Sequence, residues 1–153
     1  MRTLTLLLLT ALAACGGPSE NPSVTVQSAT PEELVTSDDA LDDVTITVEY
    51  DDGDGDLGTG FAEVHDCRAD GIVTELVLPA IASDGRVGDH ITGTLELHVN
   101  DVGAIALGTQ PAVCAELGVE SLAADQTVFC VVLVDAKGHR GDGDCTNAIT
   151  LFE

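Results

Sequence analysis

Val44-Thr45-Ile46-Thr47-Val48-Glu49-Tyr50 decides the fold. Apolar Val44, Ile46, Val48 and Tyr50 alternate with polar Thr45, Thr47 and Glu49, the period of a strand with one face buried and one wet. The run Asp51-Asp52-Gly53-Asp54-Gly55-Asp56 ends it, because neither Asp nor Gly favours a strand. Outward from there, Ile91–Val99 repeats the pattern most cleanly, with Ile91, Gly93, Leu95, Leu97 and Val99 on one face and Thr92, Thr94, Glu96 and His98 on the other. Val128–Val134 is apolar on both faces, which predicts a central strand covered on both sides. Val24–Val26, Phe61–Cys67, Ile72–Leu78 (closed by Pro79) and Ala148–Phe152 read as further strands. Ser83-Asp84-Gly85 and Asp135-Ala136-Lys137-Gly138 read as turns. Helix signals are brief. Thr30-Pro31-Glu32-Glu33 has the cap, proline and glutamate of one helical turn, and the long connection 100–126 should hold a short helix from Pro111 to Gly118. About seven short strands with one or two helical turns predict an all-β sandwich of two sheets.

Val44–Tyr50 followed by DDGDGDLG resembles the second strand and following loop of bacterial immunoglobulin-like domains, and Val131–Gly138 resembles their penultimate strand and its turn. The resemblance implies an immunoglobulin-like sandwich over residues 24–153. The segment 100–126 and the cysteines depart from the family pattern, which leaves the strand order in the middle open.

The first fifteen residues carry a second resemblance. Arg2 precedes an apolar run, Leu4 to Ala14, that is too short to cross a bilayer as a helix and suits a signal-peptide core. Its ending, Leu12-Ala13-Ala14-Cys15, resembles the lipobox of bacterial lipoproteins. That implies removal of residues 1–14, acylation (palmitate among the chains) of Cys15, and a membrane partner reached through the lipid. Residues 15–23, with Gly, Pro and Ser, then read as the lipidated cysteine and a flexible tether. Gly16, rather than Asp, after the cysteine implies the outer membrane where the organism has one.

Charge narrows the partners. Twenty-seven Asp and Glu face five Lys and Arg, for a formal net charge of −22. Such a surface repels phosphates, so no nucleic-acid partner is expected, whereas cations and basic partners are favoured. Acidity that only keeps an exported chain soluble is the alternative reading. With Cys15 set aside, Cys67, Cys114, Cys130 and Cys145 form an even set, which in an exported chain reads as two disulfides. Three pairings are possible and spacing does not choose among them; Cys114–Cys130 with Cys67–Cys145 is the one leaned towards. A four-thiolate metal site lacks any C-x2-C pair.

The acidic loop is the sharpest candidate for chemistry. Asp52, Asp54 and Asp56 alternate with glycine or precede it, offering carboxylates on a backbone free to curl round Ca²⁺. An EF-hand is excluded, since its glycine position holds Leu57 and no helix precedes it. If the strands ending at Tyr50 and Val134 are those that the resemblance implies, their following loops share one pole, and Asp142 and Asp144 should join the Asp51–Asp56 run. One Ca²⁺ held by Asp52, Asp54, Asp56, Asp142 and Asp144 is the expectation; ordinary solvated Asp-Gly turns are the alternative. His65, His90, His98 and His139 lack a fixed second ligand and read as surface residues. No G-x-S-x-G elbow occurs, the Gly-rich loops are too acidic to cradle phosphate, and aromatic residues are too few for a stacking platform. These features point away from an enzyme. They point to an envelope-anchored, non-enzymatic binding or structural module, adhesive or cation-dependent, with a protein or glycan partner; an accessory subunit of an envelope complex, docking through a sheet edge, is the alternative.

Overall fold

The structure, a computed structural model, describes residues 19–35, 42–79, 81, 88–103 and 107–152. The leader, Cys15 and the Ser83–Gly85 turn lie outside the described residues. Alternation does its work first in β3 (Val44–Asp52), where every second residue from Val44 to Asp52 is buried. Its two neighbours pair antiparallel, β1 (Ser23–Thr30) through Val24↔Tyr50 and β6 (Ile91–Val99) through Ile46↔Leu97, making a layer of order β1-β3-β6. A bulge between Val26 and Ser28 re-aims the end of β1.

The second layer is built on β4 (Phe61–Asp66), which pairs antiparallel with β5 (Val73–Val77) on one side and β8 (Phe129–Val134) on the other. Beyond β8 lies β9 (Asp144–Cys145), and a third hydrogen-bonded group joins β2 (Glu33–Val35), β10 (Ile149–Phe152) and β7 (Gln126–Thr127). This third group continues the second layer. Only Val128 separates β7 from β8, and the Thr146 N–H donates to the Phe129 carbonyl at 2.9 Å, carrying the β8–β9 ladder on towards β10. With β7 running into β8 and β9 into β10, the ten segments make eight strand courses in two layers. One layer has the order β1-β3-β6, and the order β5-β4-β8-β9 faces it, an all-β, sandwich-like architecture.

The layers enclose one core. Val24, Val44, Ile46, Val48, Leu95 and Leu97 from the first meet Ala62, Val64, Phe129, Val131, Leu133 and Ile149 from the second. Tyr50 lies over Gly93, where a Cβ would come within 2.6 Å of the tyrosine hydroxyl. The glycine in the best strand is therefore a packing requirement. A smaller cluster covers the outer face of β8: the helix α1 (Ala112–Glu116) and the residues after it bring Val113, Leu117, Val119 and Leu122 against Val128 and Cys130. This explains why Phe129–Val134 is buried throughout. Buried Arg68 fixes the approach of that long connection. It donates to Asp66 at 2.6 Å and to the carbonyls of Val102 and Gly103 at 2.7 and 2.9 Å.

Two expectations need correction. Thr30–Glu33 is not a helical turn: Thr30 ends β1 opposite Thr45, the Thr30–Pro31 bond is cis, and Glu33 opens β2. Leu34, fully buried and paired in parallel with Leu151, shows that tertiary pairing overrides the local cap signal. The disulfides are Cys67–Cys114 and Cys130–Cys145, not Cys114–Cys130 with Cys67–Cys145. Register decides one pair, since Cys130 and Cys145 are direct cross-strand partners. Position decides the other: Cys67, just past β4, faces α1. The two bridges touch, with Cys67 and Cys130 Sγ atoms 3.4 Å apart, so all four sulfurs lie in one cluster.

Candidate metal centre

The site starts from the alternation of β3. Asp52 takes the next inward position after Tyr50, so the pattern that buries Val44, Ile46 and Val48 also buries a carboxylate; Asp52 is 0% exposed. Its Oδ2 accepts the Leu57 N–H at 2.8 Å, which anchors a 3-10 turn at Leu57–Thr59. Its Oδ1 has no hydrogen-bond partner. Between them the chain doubles back through Gly55, at φ 71°, where any Cβ would collide with the Asp89 carbonyl. The reversal faces Asp54 and Asp56 towards Asp52, and one carboxylate oxygen from each of the three lies within 4.8 Å of the others. The Asp56 side chain is only 8% exposed, and Oδ1 of both Asp54 and Asp56 is buried without a partner.

The facing layer contributes the turn after β8. The Ala136 N–H donates to the Asp56 carbonyl at 3.3 Å, which ties the two loops together. Lys137 Nζ lies 2.6 Å from Asp54 Oδ2 and 2.8 Å from Asp56 Oδ2. Asp135, buried behind, accepts from the N–H groups of Lys137 and His139 at 2.8 Å through Oδ1, and its Oδ2 pairs with the His139 ring at 2.8 Å.

The electrostatics follow from this placement. Burial, with Asp54 and Asp56 adding to it, pushes the Asp52 carboxyl above the ordinary carboxylate range against the pull of the Leu57 N–H. Burial also raises Asp56 against the hydrogen bond from Lys137, and the charges of Asp135 and Asp54 add to the rise. Asp54 moves the other way because the Lys137 ammonium donates to it. The two carboxylates in turn raise Lys137. Three carboxylates against one ammonium leave two negative charges at a desolvated point. A divalent cation cancels them, and Ca²⁺, at about 2.3–2.6 Å from each oxygen, spans oxygens of this separation. The donor set of hard carboxylate oxygens, several without partners, fits that ion.

The shared pole expected from sequence is therefore present at Asp52, Asp54 and Asp56, but Asp142 and Asp144 lie outside the group. Asp142 forms a parallel bridge to Ser23, and Asp144, opposite Val131, accepts from the Val26 and Cys145 N–H groups at 2.8 Å. They join β1 to the second layer. Pairing resumes at the Val134–Arg140 bridge, ahead of β9, and carries both past the pole. Asp135 and Lys137 take their place, and the sequence signal for them was available: they directly follow the fully buried strand. Among the described residues, the only other grouping of ligand atoms close enough to share an ion is Cys67, Cys114 and Cys130, whose sulfurs are in disulfides. The histidines make separate contacts, His65 to Glu63, His90 to Asp51, His98 to Thr45 and His139 to Asp135. Comparison of the chain with protein-family models, with curated proteins and with solved structures gives no match.

Proposed function

We propose that this chain is an envelope-anchored lipoprotein whose sandwich is a non-enzymatic binding or structural module, stabilised by one Ca²⁺ at its acidic pole. The observation that carries the reading is the fully buried Asp52, whose Oδ1 has no hydrogen-bond partner and whose carboxylate has an oxygen within 4.8 Å of one each from Asp54 and Asp56. An unpartnered carboxylate oxygen in a protein interior is costly, and a bound cation removes the cost. Two disulfides suit the oxidising compartment that the lipobox resemblance implies. No helix among the described residues is long and apolar enough to cross a membrane; in this reading the lipid on Cys15 supplies the attachment. In this reading the domain presents a rigid acidic face to a protein or glycan partner.

Isothermal titration tests the site: the wild-type protein takes up one Ca²⁺, and Asp52→Asn abolishes or greatly weakens uptake. No heat of binding to the wild type overturns the calcium reading. Mass spectrometry of natively expressed protein tests the anchor, which requires an acylated Cys15 as the first residue.

A second reading, an accessory subunit of an envelope complex, draws on β5. This edge strand leaves Val73 and Val77 exposed at 43% and 85%. Such an edge suits strand addition by a partner.

A further inference from the structure

Lys137 is the only lysine in the chain, and it is seated among the three aspartates. We infer that it is a displaceable internal cation: its ammonium holds Asp54 and Asp56 together in the calcium-free protein, and Ca²⁺ binding expels it into solvent. The inference rests on the calcium reading above and concerns how that site is regulated.

Three observations carry it. First, the ammonium engages only Oδ2 of Asp54 and Asp56, at 2.6 and 2.8 Å, while Oδ1 of Asp52, Asp54 and Asp56 keeps no partner. One ammonium thus leaves most of these carboxylate oxygens unsatisfied, and a Ca²⁺ that takes about six to eight oxygens draws on the two that the ammonium holds as well. Second, the lysine side chain is 53% exposed, so it already has a path to water. Third, the turn that carries it is held without the ammonium. The Lys137 and His139 N–H groups donate to Asp135 Oδ1, Gly138 N–H donates to the Asp135 carbonyl at 3.1 Å, and Ala136 N–H donates to Asp56. The side chain can therefore leave while the backbone stays. Arg140, the next cation along the chain, is committed to Glu63 at 2.9 Å and does not compete.

A seated ammonium sets calcium affinity by competition. Ca²⁺ must displace two ion pairs, which makes the site weaker than its carboxylate count alone implies. It also couples the ion to the surface: loading frees a positive charge on the turn after β8, at the pole where the two layers meet.

Two measurements on the intact protein test this. In calorimetric titration with Ca²⁺, Lys137→Met should bind about ten-fold more tightly than the wild type, the scale expected for losing two partly exposed ion pairs. In the wild type, acetylation of Lys137 by an amine-reactive ester, followed at peptide level by mass spectrometry, should run several-fold faster in Ca²⁺ than in EDTA. The second measurement needs no variant, so a misfolded Lys137→Met cannot blunt it. Calcium binding by the wild type with an unchanged affinity in Lys137→Met and an unchanged labelling rate overturns displacement and leaves the calcium site standing. Weaker binding by a folded Lys137→Met also overturns it, since the lysine would then help to build the site. Binding by neither protein overturns both the calcium reading and this inference.

Discussion

Replacing Asp52 with Asn should stabilise the protein in EDTA and weaken it in calcium. In the calcium-free protein, Asp52 is a fully buried carboxylate with one oxygen unpaired and two more carboxylates within 4.8 Å. The amide keeps an oxygen for the Leu57 N–H, loses the charge, and gains an N–H₂ that Asp54 or Asp56 accepts. An unsatisfied buried polar group costs about 1–3 kcal/mol, so a gain of roughly 1–2 kcal/mol is expected. For a domain of this size that is about 3–6 °C in Tm. In calcium at about 100 times its Kd, the wild type gains roughly 2.7 kcal/mol, or on the order of 10 °C, and the variant gains little because a ligand is missing. The two melting curves should therefore change order between EDTA and calcium. Scanning calorimetry at neutral pH in the two buffers measures this directly. A variant that is less stable than the wild type in both buffers, by the same margin, would refute the reasoning: Asp52 would then be an ordinary buried hydrogen-bond acceptor.

Three further outcomes follow from the geometry. Gly93→Ala should cost about 1–3 kcal/mol in chemical denaturation, because its Cβ meets the Tyr50 ring at 2.8 Å, and Tyr50→Leu in the same chain should recover most of the loss; simple additivity would contradict that contact. Arg68→Met should cost about 3–5 kcal/mol, since it strands the buried Asp66 carboxylate, while Asp66→Leu combined with Arg68→Met should cost less. The Glu63 carboxyl is pushed up by burial but pulled further down by hydrogen bonds from Arg140 and His65, and its folded value lies below its ordinary one. Its contribution is thus complete above about pH 4.5 and is lost as the pH falls through the lower folded value, whereas the raised Asp52 and Asp56 contribute the opposite slope in calcium-free protein. Arg140→Leu should flatten the acid-side loss of stability measured by pH-dependent denaturation; an unchanged profile would show that the pair is not formed in solution.

Much of this fold is legible in the residues. The Val/Thr alternation of β3 and the clean two-faced pattern of β6 specify strands because burial of one face leaves no other register. Gly118, at φ 82°, ends the short helix where expected. What escaped was set by contacts between distant parts of the chain. Thr30-Pro31 carries a local helix signal, and only the pairing of Leu34 with Leu151 tells that the segment is extended. The disulfide pairing was open because all four sulfurs converge, so register rather than spacing separates the alternatives. At the acidic pole, the Asp52–Asp56 run was visible as composition, yet its inward aim follows from counting the alternation one step past Tyr50. Asp142 and Asp144 were misplaced because strand pairing resumes before them and carries them away from the pole, while Asp135 and Lys137 lie in the tight turn that stays.

Native mass spectrometry of the intact, oxidised protein puts the cation pole to the most direct test. One Ca²⁺ per chain should be retained after gentle desalting, lost with EDTA, and absent when Asp52, Asp54 and Asp56 are all replaced by Asn. An ion count of zero in the wild type, or a count that survives the triple replacement, would contradict a calcium centre built from these three carboxylates.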